Sequence, residues 1–479
     1  MTTTVPSPLA RLRAFGAPPR LLGLDVARAV AVIGMVGAHV GAVRGPFTWS
    51  EPSTWTDVVN GRSSILFAVL AGVSVALVTG RSRRPAPSEL PGMRLRLVGR
   101  GAAIFVVGVV LELLSTGIAV ILTLYGLLYV AALPFLRWRR RWLWTAVAFL
   151  TLAGPPLLVV AAILTPGGWF EGDGATLVLG TYPLPVWLAF LLAGLAVGRT
   201  DLGRVRTGVA LLVAGAAVSA AGYGAAAATS AYVDGLWGES ESYDSWSSSA
   251  YTELDGGTEV VTVPGEDVDL SGMVCDVGAG GVDDGWASCY AEAGTSDDVA
   301  SGYVEYDAYE EPSYAERVRG SQPWAQVQLA WLADEPHSGG TLEILGSGGL
   351  AVAVIGLCLL VARPLRWALV PLAALGSMPL TAYAAHVVAV LVVEGPDSES
   401  LPDDDGTWAW MVLGLAVGTT AWALLLGRGP LERLVGRAAA ATAAGLPPAP
   451  ASAPVPPTPP TMPSADATRA RPPAGSGPS

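Results

Sequence analysis

The sequence predicts an all-α fold, a polytopic transmembrane helix bundle of about ten spans with an acidic insertion between spans 7 and 8. Three observations carry that reading. Only 14% of the 479 residues are charged and 52% are hydrophobic, whereas a soluble domain is about a quarter charged. Nearly charge-free stretches of about 20 residues, long enough to span a bilayer as helices, recur along the chain, and the mean hydropathy is +0.48. The acid is concentrated: residues 232–340 hold 23 Asp and Glu against Arg317 and Arg319 alone, a net −21 in a chain of formal charge −12.

The spans fall near 22–43, 62–80, 97–114, 118–136, 142–164, 183–198, 207–230, 341–362, 367–393 and 407–427. Arginine sets their orientation, because positive loops stay cytoplasmic. With the N-terminus inside, 21 arginines collect at cytoplasmic ends, and only Arg44, Arg62, Arg317 and Arg319 face outward. The chain then divides into a cytoplasmic segment 1–21, a core of spans 1–7 over 22–231, an extracytoplasmic insertion 232–340, spans 8–10 over 341–430, and a Pro- and Ala-rich cytoplasmic tail 438–479 that reads as disordered. This is the layout of a multi-pass plasma-membrane protein with both termini inside. No cleaved signal peptide is expected, since Asp25 and Arg28 interrupt the first apolar stretch.

The insertion is rich in Ser, Gly, Asp and Glu, yet it carries Trp237, Trp246, Trp286, Tyr290 and Tyr303. Disordered segments hold fewer aromatics, and Thr258–Val263 alternates like a short strand. A small, partly ordered unit is expected. Cys275 and Cys289 lie within it, and an extracytoplasmic setting permits a disulfide between them. Cys358, inside an apolar stretch, reads as a small core residue.

The first span, LLGLDVARAVAVIGMVGAHVGAV, contains Asp25, Arg28 and His39. Asp25 and Arg28, three apart, can pair on one helix face. His39, eleven residues beyond Arg28, falls about 20° off that face and roughly 16 Å along the axis. Ionisable groups at membrane depth face a cavity or a partner. Arg28 can simply snorkel to headgroups, and His39 can simply bond a neighbouring helix. The functional reading makes His39 a general base or nucleophile, since imidazole titrates near neutrality. His386 in the ninth span lies at similar depth, near Thr381 and Tyr383, placed to orient His39 or to bond between helices. Glu112 ends the third span as a base partner or an interfacial residue, and Tyr125 reads as packing. His337, in PHSGGTLEILG with Glu343 six residues on, sits at the outer mouth. The three histidines and three cysteines show no metal-ligand spacing, so no metal is expected.

LDVAR, the Arg28-x10-His39 spacing and the NGRSSILF segment resemble the first two helices of the heparan-α-glucosaminide N-acetyltransferase-like family, with its bacterial relatives in the wider membrane acyltransferase superfamily. HSGGTLEILGSGGLAVAVIG and LAALGSMPLTAYAAHVVAV resemble that family's C-terminal conserved region of unknown function. The resemblance covers spans 1–2 and 8–9, and the acidic insertion and tail lie outside it. It implies acyl-CoA, commonly acetyl-CoA, as cytoplasmic donor and a hydroxyl or amine of an extracytoplasmic carbohydrate or lipid-linked molecule as acceptor. It makes His39 and His386 the catalytic candidates. Arg28 and Asp25, with Arg94, Arg96 and Arg100 leading into the third span, become the donor candidates, because guanidinium holds phosphate bidentately. The same arginines also serve topology alone. Asn60, Arg62, Ser63 and Ser64, at the outer end of the second span, join Glu112 and His337 as acceptor contacts.

Two other classes stay open. A transporter or flippase would line its path with Asp25, Arg28, His39 and His386. A scaffold or sensor would use the acidic segment to bind a cationic partner. The lipid bilayer is a partner in every reading, nucleic acid in none, and homo-oligomerisation is left open.

Overall fold

The computed structural model describes residues 20–41, 43, 50–164, 182–238, 273–277, 287–291, 313–395 and 404–444. The helices are α1 (Leu22–Val40), α2 (Arg62–Val78), α3 (Leu90–Glu112), α4 (Leu122–Ala131), α5 (Arg140–Leu164), α6 (Leu184–Gly198) and α7 (Val205–Gly238). Strands β1 (Met273–Val277) and β2 (Ala287–Ala291) follow, then α8 (Tyr314–Gly320), α9 (Pro323–Leu332), α10 (Thr341–Val361), α11 (Val370–Ser377), α12 (Pro379–Glu394), α13 (Asp405–Leu425) and α14 (Pro430–Ala441).

Among the described residues, six helices are long and apolar enough to cross a membrane: α1, α2 with the 3₁₀ turn before it, α5, α7, α10 and α13. The pair α11–α12 makes a seventh if counted as one span. The chain is thus a multi-pass membrane protein, although helices meet all ten expected stretches with different lengths. At 10 and 15 residues, α4 and α6 are apolar but short. The third helix begins at Leu90, so Arg94, Arg96 and Arg100 lie on its own first turns. The seventh runs 34 residues, about 51 Å, and continues past the expected boundary at 231.

The expected span 367–393 is two helices meeting at 86°. Pro379 opens the second of them, where its missing N–H leaves no bond unmade. The amides exposed by the break are taken by Glu432 of α14. Its Oε1 accepts from the Leu380 and Thr381 nitrogens at 2.9 and 3.1 Å, and its Oε2 from the Thr381 hydroxyl at 2.6 Å.

A second proline problem is solved in α5. Pro155 and Pro156 lie inside it and leave the carbonyls of Thr151 and Leu152, four residues back, without helical partners. In a bilayer each such group must find a bond within the protein. Thr341 Oγ1 donates to the Thr151 carbonyl at 2.7 Å, and Trp331 Nε1 to that of Leu152 at 2.9 Å.

α1 and α2 form the centre, each 72% buried, against 22% of α5, 17% of α7 and 11% of α13. The closest seams use glycine, as expected where small residues let helix backbones meet. A Cβ on Gly72 of α2 would overlap the Leu191 carbonyl of α6, and one on Gly215 of α7 would overlap α10 backbone at Gly349 and Ala353. The LGSGGL glycines of α10 are therefore packing glycines.

The acidic segment departs from the all-α expectation: β1 and β2 pair antiparallel, with Cys275 opposite Cys289 in register. The strand expected at Thr258–Val263, Trp246, Trp286, Tyr303, Arg44 and the segments 1–19 and 445–479 lie outside the described residues.

Candidate active site

His39 sits on the last turn of α1, and His386 is carried in by α12. His39 Nδ1 and His386 Nε2 stand 3.0 Å apart, and the rings lie within 16° of parallel with centroids 5.2 Å apart. His386 is fully buried, with Tyr383 edge-on at 4.8 Å. His39 opens on a cavity of about 330 Å³, which also takes in Met35, Asn60, Gly61, Ser63, Ser64, the Gly117–Ala119 turn, Tyr182, His337 and Tyr383.

Local chemistry holds these walls. Gly61 adopts φ +64° before α2 and abuts Pro336, so a side chain there would strain both turns. Tyr125 bonds the Ser64 carbonyl at 2.7 Å, so it has a hydrogen-bonding as well as a packing role. Glu343 shapes the His337 loop: its carboxylate accepts from the His337 and Gly339 amides at 2.8 and 2.7 Å and from the Ser338 hydroxyl at 3.2 Å. His337 has φ +68°, a left-handed conformation costing a non-glycine residue about 1–3 kcal/mol and tolerated where neighbours enforce it. Its ring meets Tyr182 edge-on, and partial desolvation by its neighbours holds its pKa below the usual histidine value.

The cavity gathers His39, Asn60, Ser63 and His337, with His386 behind His39. Arg62 does not line it. Its guanidinium bonds the Asp57 carboxylate at 3.2 Å and the Tyr223 hydroxyl at 2.8 Å, and that hydroxyl meets Ser347 at 2.8 Å. Arg62 thereby ties α2 to α7 and α10. Glu112 is exposed at the end of α3 and is not part of the wall either. Tyr182 and the Gly117–Ala119 turn escaped the sequence reading because neither stands out in its loop. Tyr383 was legible, being one turn from His386.

At the other end of α1, Asp25 is buried between two guanidiniums. Arg28 Nη1 bonds it at 2.8 Å, the expected pairing, and Arg20 Nε at 2.5 Å. Arg28 Nη2 also donates to Ser74 of α2 at 2.9 Å. Arg96 is exposed, and Arg100 lies over the Tyr129 ring, 5.5 Å from its centroid. Neither joins the Arg28 cluster through a hydrogen bond or ion pair among the described residues.

Fold and site together define a class: a multi-pass helical membrane protein with a hydrogen-bonded histidine pair at one end and an arginine–carboxylate cluster at the other end of the same helix. Residues 20–227 match the family described as heparan-alpha-glucosaminide N-acetyltransferase, catalytic. Over those residues the chain is similar to that acetyltransferase family, which supports transferase activity in general. The match takes in Asp25, Arg28 and His39 and ends before His337 and His386. No curated protein matches the chain. No solved structure matches it either.

Proposed function

We propose that the protein moves an acyl group, acetyl in the simplest case, from cytoplasmic acyl-CoA to a hydroxyl or amine of an extracytoplasmic acceptor, a cell-envelope glycan or lipid-linked sugar. The observation that carries this reading is His39 on the wall of the cavity with His386 hydrogen-bonded behind it. With Nδ1 donating to His386 Nε2, His39 keeps its Nε2 lone pair for the acceptor. The acceptor O–H or N–H proton passes to Nε2 while its heteroatom attacks the thioester carbonyl carbon. The tetrahedral intermediate collapses, the C–S bond breaks, and the departing CoA thiolate takes the proton from the imidazolium. His386 stabilises that imidazolium by accepting its Nδ1 hydrogen. His386 is a positioning residue in this scheme, and Asn60, Ser63 and His337 hold the acceptor.

The donor enters from the Arg28 end, where two guanidiniums face one carboxylate. Its acyl end extends along α1, the roughly 16 Å from Arg28 to His39. The orientation rests on the arginine distribution, which sets both termini and α14 in the cytoplasm and the 232–340 segment outside. The register that sets Cys275 against Cys289 supports a disulfide there. The broken α11–α12 helix is a transporter-like feature, but its exposed amides already hold Glu432, which argues against an anion-carrying site.

Purified protein in liposomes, given labelled acetyl-CoA on the Arg28 side and a panel of sugars, tests the reading. His39→Ala is expected to lower transfer by about 10²–10⁴-fold while CoA still binds. Wild-type protein that neither binds nor consumes acyl-CoA would sink the proposal. Release of CoA without any acceptor, in a burst equal to the enzyme present, would make His39 an acyl carrier instead of a base.

A further inference from the structure

A second cavity, of about 650 Å³, lies at the far end of α6 from the histidines. Tyr182, just before α6, lines the first cavity, whereas Ala196, Val197, Arg199, Thr200 and Asp201, at its other end, line the second. The 15-residue helix puts about 22 Å between them. The second cavity is a cleft between the starts of α5 and α7, floored by α6. Arg140, Arg199, Arg204 and Arg206 line it, with Asp201 the single carboxylate. Arg204 pairs with Asp201 at 2.7 Å. No carboxylate pairs with Arg140, Arg199 or Arg206 among the described residues.

Arg199 is the telling member. It is 8% exposed, and its guanidinium meets only carbonyl oxygens, those of Leu136 and Arg83. Its Nε is buried without a hydrogen-bond partner. Burial, and after it the charge of Arg84, press its pKa down. A buried cation without a counter-ion is expensive, so the site calls for an anion. Both α5 and α7 begin here, and helix N-termini favour negative charge as well.

The remaining walls define the rest of the occupant. Trp144, Ala210, Leu211 and Ala214 line the cleft beyond the arginines, and α5 and α7 continue from it with Phe149, Leu152, Val209 and Val213 exposed. The ligand therefore has an anionic head and an apolar body. We propose that the cleft binds the phosphodiester headgroup of an anionic membrane phospholipid, with its acyl chains running between α5 and α7. Guanidinium offers paired N–H donors to phosphate oxygens, and an interfacial position keeps the head in the polar layer while the chains stay in hydrocarbon. The inference is independent of acyl transfer.

Native mass spectrometry of the full chain, released from detergent with phosphatidylglycerol or phosphatidylcholine, tests it. Phosphatidylglycerol is expected to be retained about tenfold more strongly, the ratio for roughly 1.4 kcal/mol. Arg140→Gln with Arg206→Gln, both exposed residues, should remove most of that preference without loss of helicity. Arg199→Gln should do the same if it folds, and the exposed pair stands as the test if it does not. Equal retention of the two lipids overturns the proposal, as does a preference that survives the double variant. Inorganic pyrophosphate displacing the lipid at micromolar concentration would also overturn it, reassigning the arginines to a soluble phosphate.

Discussion

The two cavities at the ends of α6 are built from opposite materials. The histidine cavity draws its walls from the most buried helices, α1 and α2, and from short loops, and no guanidinium lines it. The arginine cleft lies between α5 and α7, which turn most of their surface outward, and it carries four guanidiniums against one carboxylate. The first holds a hydrogen-bonded imidazole pair suited to proton transfer. The second holds uncompensated charge suited to binding. The first cavity is enclosed by helices packed on several sides, while the cleft lies between helices that face outward.

If the histidine end is where chemistry occurs, its own residues should govern turnover and leave the arginine end untouched. His386→Ala is expected to slow acetyl transfer about 10–100-fold, by analogy with losing the hydrogen-bond partner that orients a metal-bound histidine. The loss should fall on kcat, with KM for the acceptor little changed. An unchanged kcat would remove His386 from the mechanism. Replacing Arg28 by Ala should raise the apparent Kd for acetyl-CoA about tenfold, equivalent to roughly 1.4 kcal/mol, when measured by calorimetry. Lipid retention at the arginine cleft should not move. A shift in lipid retention instead would couple the Arg28 end of α1 to the arginine cleft.

The supporting frame can be tested apart from chemistry. Thr341→Val removes the donor that the proline break in α5 requires and should destabilise the protein by about 1–3 kcal/mol, read as a lower thermal midpoint in detergent. The smallest effect concerns pH. Partial desolvation depresses the His337 pKa in the folded state, and in the unfolded chain histidine titrates near 6.5. Below about 6.5 the unfolded state takes up the proton that the folded state resists, so stability falls as pH drops through that range and is fully present above it. The thermal midpoint of wild type should decline more between pH 7.5 and 5.5 than that of His337→Asn, and parallel curves would exclude the effect.

Much of the architecture was legible because it is local. Hydropathy placed ten helical stretches, and the Asp25–Arg28 pair followed from helical spacing. Helix ends were less legible: the third span was expected from residue 97, but α3 begins at Leu90 and so takes in Arg94 and Arg96. The bend before Pro379 needed Glu432, about fifty residues further on, to complete its amides. Arg62 misled for a similar reason: its position suggested an acceptor contact, and only packing showed Asp57 and Tyr223 holding it.

Composition, periodicity and arginine placement alone determined that this is a membrane bundle, and the LDVAR-to-His39 stretch pointed to the family it resembles and to its first catalytic candidate. Both are properties of single helices, written in consecutive residues. Only the tertiary structure decided that His39 meets His386 across 347 residues, that Glu343 shapes the His337 loop, and that four arginines close on a single cleft. Those arrangements depend on which helix faces touch, and that is settled by the fit of glycine seams, proline breaks and buried polar groups across the whole bundle.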